Sequence, residues 1–496
     1  MRWTKTRDWL AHRAEISPDA TAVVEAEDGS ERTYADLDST VEKTAGRLAG
    51  LGLRAGDHLG VLMETRMAAV RLVHAAMRLG CVLVPLNVRL APPELRRQVA
   101  VTDPSALVCD ADTESVARDV AGDVPVVSVD PSDGATLAES ERANFVPAEW
   151  ACDDPQVMLF TSGTTGNPKA VALTTGNLLA SATASAFRLG VLPGDRWHLC
   201  LSSYHMGGLA PLLRSTVYGT AVVVQEGFSP AETLSHLREY GATGVSLVPT
   251  MLRRLLEEGD LSDSLRFVLL GGAPAQDDLV AECVARGVPV CPTYGMTETA
   301  SQIATARPEE AFSRVGTVGR PLMFTEVTVV DENGDPVPAG EPGELVVSGP
   351  TVMAGYYDNP SATESAFGEY GLHTGDVGYR DEGGRIWVLN RRSDRIVTGG
   401  ENVHPGEVVE VLLEHPEIRE AAVVGIEDDE WGERVGALVV PETDEAVTLE
   451  SVRAFCGGRL AGYKHPRMLE TAEELPRTAS GTVDREAVRE RLRYDP

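Results

Sequence analysis

The sequence predicts an α/β protein: a large N-terminal domain of parallel sheets covered by helices, a β-rich subdomain, and a small α+β C-terminal domain. Three observations predict it. The chain has 496 residues, too many for one ordinary domain. Up to about residue 300, short β-rich apolar runs alternate with stretches of helical periodicity, as in parallel strands covered on both faces. After about residue 320 the alternation gives way to paired β runs, then to a mixed pattern with a modest core of its own.

The elements follow in order. Thr33-Tyr34-Ala35-Asp36 reads as a helix start, and Leu37, Val41, Ala45 and Leu48 then recur at helical spacing. HLGVLM (58–63) predicts a strand, 66–79 a helix and CVLVPL (81–86) a strand. The runs ALVC (106–109), VMLF (157–160), AVVVQ (221–225), GVSLV (244–248) and RFVLL (266–270) continue the series. Residues 326–349 hold two β runs around Asn333-Gly334, a hairpin signal. RIWVLNRR (385–392) is a further strand. The last hundred residues predict a helix (406–414), strands (421–426 and 434–440) and helices (449–462 and 484–493). The domain boundary falls near Arg392–Arg395, between a strand and a Gly-rich turn, giving domains 1–392 and 393–496.

Composition narrows the function. The net charge of −31 repels phosphate backbones and disfavours general nucleic-acid binding. Of the 44 basic residues only Lys5, Lys43, Lys169 and Lys464 are lysines. An acidic surface so poor in lysine suits a halophile's cytosol, where molar salt shortens the Debye length to roughly 3 Å. The alternative is an ordinary acidic protein from an Arg-biased genome. The N-terminus carries no stretch that reads as a signal peptide, and no window is apolar enough to span a membrane. Seven scattered cysteines without CxxC spacing argue against a disulfide framework or structural zinc. These features predict a cytoplasmic enzyme without membrane insertion. They set no oligomeric state, and a homo-oligomer is among the states they allow.

Thr161-Ser162-Gly163-Thr164-Thr165-Gly166-Asn167-Pro168-Lys169 follows an apolar run and packs four hydroxyls, two glycines and a lysine into nine residues. Glycines let backbone N–H groups approach phosphate oxygens, hydroxyls donate further bonds, and lysine adds charge. It is not the GxxxxGK[ST] loop, because Pro168 stands five residues after Gly163. A polar surface loop can have the same composition. The preceding strand and one of only four lysines favour a phosphate cradle.

This loop resembles the signature of the adenylate-forming (acyl-CoA synthetase) superfamily, and further motifs resemble that family in the same order. Gly271-Gly272-Ala273-Pro274 is similar to the adenine-side loop. Tyr294-Gly295-Met296-Thr297-Glu298 is similar to the motif whose Tyr stacks on adenine, whose Thr contacts the α-phosphate and whose Glu holds Mg²⁺. Thr374-Gly375-Asp376 resembles the ribose-binding motif, Arg391 the ribose-contacting arginine, and Gly399-Gly400-Glu401-Asn402 the loop beside the pantetheine tunnel. The resemblance implies the adenylate-forming fold, with a C-terminal domain that swings about Ser393 or Asp394. It also implies ATP, CoA and Mg²⁺ as cofactors and a carboxylic acid as substrate. It places Thr164, Lys169, His205, Thr297, Glu298 and residue 482 at the chemistry. Arg392, Arg395, Lys464 and Arg467 are candidate cations for CoA phosphates.

Ser203-Tyr204-His205-Met206-Gly207-Gly208-Leu209, Leu269 to Pro274, Tyr294 to Ile303, Leu389 to Asp394 and Trp431-Gly432-Glu433 are similar to one branch, the o-succinylbenzoate–CoA ligases of menaquinone synthesis. Such an acid has a second carboxylate that needs a cation or donors. Arg214 is the candidate partner, with Ser301 and Gln302 as supporting donors and His205 beside the acyl pocket. A ligase for another acid (fatty, malonic or aryl) is the alternative, and a catalytically impaired nucleotide- or acyl-adenylate-binding paralogue is another. The last arises from a departure: the family's Pro-Arg-Thr-x-x-Gly-Lys reads Pro476-Arg477-Thr478-Ala479-Ser480-Gly481-Thr482, with threonine at the lysine position. Arg477 or Arg485 could replace that charge.

Overall fold

The computed structural model describes residues 5–161, 168–273, 275, 277–391, 396–442, 447–477 and 483–493. The chain forms two compact units. The larger comprises Met1–Val88, Val101–Phe160 and Ala170–Asn390; the smaller comprises Arg89–Ala100, Thr161–Lys169 and Arg391–Pro496.

The predicted helix start at Thr33 is a capping box: the Thr33 hydroxyl accepts from Asp36 N while the Asp36 carboxylate accepts from Thr33 N. The helix Tyr34–Gly50 then buries Leu37, Val41, Ala45 and Leu48 on one face. In one sheet the strands His58–Leu62, Val82–Pro85, Ala106–Cys109, Val126–Ser128 and Pro155–Thr161 run parallel. Gly355–Tyr356 closes an edge antiparallel to Lys169–Thr174. In the second sheet Thr21–Glu25, Ala221–Val224, Arg196–Leu199, Gly244–Leu247, Phe267–Leu270 and Val290–Met296 are parallel neighbours. Their residues are Val- and Leu-rich without alternation, as double-sided burial requires. Both edges of this sheet are antiparallel, Glu31–Thr33 at one end and Ser301–Thr305 with Arg320–Pro321 at the other.

The β-rich part pairs Glu326–Val330 with Gly343–Ser348, antiparallel from Glu326↔Ser348 to Val330↔Glu344. The Asn333-Gly334 signal is not the tight connection of these two strands. It closes a smaller turn, in which Asp331 N donates to Asp335 O and Val337 N to Val329 O, each at 2.9 Å.

In the smaller unit Ile418–Asp428 and Gly432–Pro441 form a long antiparallel pair. Side chains alternate cleanly between two cores. Val423, Val435, Ala437 and Val439 face the helices Pro405–Leu413 and Leu449–Cys456. Ala422, Val424, Leu438 and Val440 face Val488 and Leu492 of Arg485–Arg493. The helix predicted over 449–462 stops at Cys456, where Gly457 and Gly458 (φ +73°) end it. All seven cysteines are free thiols. Among the described residues no helix is long and apolar enough to cross a membrane.

Candidate functional site

Parallel sheets offer their ligand sites beyond the carboxyl ends of their strands. Three sequence-predicted segments of the larger unit leave strands at that edge of the second sheet, two of them adjacent and the third beyond one intervening strand. Gly271 follows Phe267–Leu270, Tyr294 and Gly295 end Val290–Met296, and the turn before His205 follows Arg196–Leu199. A Cβ on Gly271 would lie 2.6 Å from Thr293 Cγ2, so the backbone passes too close for any side chain. Gly272 adopts φ +80°, a region open to glycine. This gives a bare backbone edge where the resemblance expects the adenine-side loop.

Tyr294 is buried, and its Oη donates to Asp376 Oδ2 at 2.7 Å across 82 residues of sequence. Asp376 is itself buried on Gly371–Arg380, its N–H bonded to Thr374 Oγ1. The pair expected on adenine and ribose therefore meets in one place. After a β-bulge between Tyr294 and Gly295 the chain enters the short 3-10 helix Thr297–Thr299. A Cβ on Gly295 would sit 1.6 Å from Ser301 O. Two non-glycine residues follow in the left-handed region, Ala300 (φ 51°) and Ser301 (φ 103°). Such conformations cost of order 1–3 kcal/mol each and concentrate at functional sites. Glu298 is 7% exposed, and Oε1 accepts from Tyr356 Oη at 3.1 Å. A carboxylate offers up to about four lone-pair sites, so Glu298 fits a hard divalent cation. Among the described residues no cluster of three or more His, Cys, Asp or Glu could hold a metal.

Arg214 lies on the helix Met206–Tyr218 and is buried, 2% exposed, not solvated. Its Nη2 donates to Ser181 Oγ at 3.0 Å, and Ser181 Oγ donates to Ala300 O at 2.6 Å. Arg214 is thus two hydrogen bonds from the turn that carries Ser301. Its Nε has no partner, and no carboxylate pairs with it among the described residues. Burial pulls its pKa below the ordinary arginine value. Gln302 is buried, with Nε2 on Thr305 Oγ1 at 2.7 Å and Oε1 unpartnered. His205 is exposed at the start of the Arg214 helix, its ring edge-on to Tyr204. Tyr204 and Ser202 both donate to Glu64, which sequence reasoning did not single out. Nor did it single out Ser181 or Tyr356; the partners of these three lie 33 to 140 residues away, beyond any spacing signal.

In the smaller unit Thr161 ends one strand and Lys169 begins another. Gly399 (φ 57°) and Gly400 (φ 82°) form the turn between Ile396–Thr398 and Glu401–Val403, and a Cβ on Gly399 would meet the Trp431 ring at 2.9 Å. Glu401 pairs with Arg89 at 2.9 Å. Lys464 corrects an expectation. It is 5% exposed and clamped by Glu94 at 2.5 Å and Glu407 at 2.8 Å, so it is not available as a surface cation for CoA phosphates. Arg467 is exposed. Arg477 holds Glu420 at 2.7 Å. Ser162, Gly163, Thr164, Thr165, Gly166, Pro274, Arg392, Ser393, Asp394, Arg395 and Thr482 lie outside the described residues, as does the side chain of Arg391.

Comparison with known proteins shows the family. The family model described as AMP-binding enzyme matches residues 10–357, and that of the AMP-binding enzyme C-terminal domain matches 407–482. The chain belongs to the AMP-binding enzyme family. It is 39% identical over 484 residues to a 2-succinylbenzoate–CoA ligase of Bacillus licheniformis, covering 96% of this chain and 98% of that one. Among solved structures it is similar to a double mutant of o-succinylbenzoate CoA synthetase from Bacillus subtilis, bound with its product analogue OSB-NCoA (TM-score 0.93, 36% identity, 99% of each chain). It is also similar to an amide bond synthetase from Marinactinospora thermotolerans (TM-score 0.90, 32% identity, 97% of this chain and 99% of that one).

Proposed function

We propose that the chain is an AMP-forming acid–CoA ligase that activates 2-succinylbenzoate and passes it to CoA in menaquinone biosynthesis. A carboxylate oxygen of the acid attacks the α-phosphorus of ATP, and the bond to pyrophosphate breaks. The CoA sulfur then attacks the acyl carbon of the adenylate; the bond to AMP breaks, and the thiol gives up its proton. No protein nucleophile is needed, so the chain's contribution is positioning and preorganised charge. Tyr294 and Asp376 would seat the nucleoside, with Gly271 and Gly272 giving its ring a flat backbone edge. Glu298 would hold Mg²⁺, whose charge offsets that of the phosphates. Relatives have been solved with ATP and magnesium ion and with the acyl-adenylate OSB-AMP, which supports this reading. The division at 392/393, its movement between the half-reactions, the cytoplasmic location and adaptation to high salt belong to the same proposal.

The observation that carries the choice of acid is Arg214. A buried guanidinium without a counter-ion is costly, and a second carboxylate on the substrate would relieve that cost. Mass spectrometry of the CoA thioester formed from a panel of acids tests the activity. Arg214→Ala tests the specificity. Truncating one partner of a buried charge pair costs about 2–5 kcal/mol, so kcat/KM for 2-succinylbenzoate should fall roughly 30- to 5 × 10³-fold. Benzoate, which lacks the second carboxylate, should lose little. Equal losses for both acids overturn the assignment.

A further inference from the structure

Glu298 is held at two points by one short segment, Met353 to Tyr357. Met353 N donates to the Glu298 carbonyl at 2.8 Å, and Tyr356 Oη donates to the Glu298 carboxylate at 3.1 Å. The segment is rigidly mounted. Gly355 and Tyr356 pair antiparallel with Ala172 and Val171. Ala354 N donates to Ala172 O and Tyr357 N to Ala170 O. Tyr356 N donates to Thr363 Oγ1 at 2.9 Å, and that hydroxyl donates in turn to Asn359 O. Gly355, at φ +150°, lets Thr363 come so close that a Cβ there would lie 2.8 Å from Thr363 Cγ2. On this fixed backbone the Tyr356 ring packs against the main core, and its hydroxyl reaches Glu298.

We infer that Tyr356 is a positioning residue that fixes the Glu298 carboxylate for the cation accompanying the nucleotide. A carboxylate whose rotamer is set by an outer hydrogen bond loses less entropy when it takes up a metal. Such outer partners typically contribute 10- to 100-fold in metal affinity. The hydroxyl occupies Oε1 and leaves Oε2 available. This inference rests on the ligase reading, in which Glu298 faces a nucleotide-bound cation.

The test measures Mn²⁺ binding by electron paramagnetic resonance in the presence of a non-hydrolysable ATP analogue. The full-length protein is compared with Tyr356→Phe, Glu298→Gln and the double variant, and AMP affinity without metal is taken by calorimetry. Tyr356→Phe should weaken Mn²⁺ about tenfold while AMP binding stays unchanged. In the Glu298→Gln background the same change should add nothing. Unaltered Mn²⁺ affinity in Tyr356→Phe, an equal loss in both backgrounds, or a parallel loss of AMP affinity would each overturn the role for Tyr356. Failure of the unsubstituted protein to bind the nucleotide with Mn²⁺ would instead overturn the ligase reading itself.

Discussion

Lys464→Met is the most informative single perturbation of the smaller unit. The ammonium lies 2.5 Å from Glu94 Oε1 and 2.8 Å from Glu407 Oε2, with all three side chains no more than 11% exposed. Glu94 Oε2 also accepts from Ala91 N and Ala461 N, and Glu407 Oε1 from His404 N. The two glutamates raise the Lys464 pKa against the pull of burial, so the proton is held. Methionine fills similar volume but leaves two buried carboxylates facing each other. Breaking a buried ionic group on one side costs about 3–5 kcal/mol. The backbone N–H donors stay in place, which favours the lower end. At 1.36 kcal/mol per decade, local opening of this unit should become roughly 10²- to 10³-fold more frequent. Hydrogen exchange of the Gly432–Pro441 strand, followed by mass spectrometry, reads that opening directly. Unchanged protection would refute the account of the cluster.

Three further outcomes are expected. His74 and His198 are buried, and burial pushes both pKa values down to about 4. Their unfolded value is higher, so stability is lost as pH falls from about 6.5 towards 4, by about 3 kcal/mol for each histidine. Melting temperatures should fall as pH falls over that range, and His198→Gln should flatten the profile; a pH-independent melting temperature contradicts it. Thr482→Lys should raise ATP–pyrophosphate exchange at least tenfold, because one preorganised charge is worth about 10²–10³ in rate; no change means that another cation already supplies it. Raising KCl from 0.1 M to 2 M should raise the melting temperature through screening of the −31 charge, and a fall would count against adaptation to high salt.

The strands were legible because each is a short apolar run beside a turn signal, and the motif loops were legible because they leave those strands at their carboxyl ends. What sequence spacing hides is contact across distance. Lys464 reads as a surface cation until Glu94, 370 residues away, is seen against it. Arg214 is legible as a candidate for the second carboxylate, but its burial and its bond to Ser181, 33 residues away, are not. The helix over 449–462 was read too long because apolar periodicity continues through Leu460 and Ala461, past the two glycines that end it. The antiparallel strand Ser301–Thr305 is not legible because the bulge at Gly295 and the left-handed residues Ala300 and Ser301 at its start have no periodicity to betray them.

Lysine scarcity and the clamp on Lys464 together determine how amine chemistry meets this protein. Reagents that couple to unprotonated amines need a side chain that can both shed its proton and reach solvent. Lys464 can do neither, whereas Lys5 and Lys43 are exposed and Lys169 is half-buried. Conjugation at mildly alkaline pH therefore bypasses the Glu94–Glu407 cluster, and dye or surface attachment through ε-amines is confined to three positions.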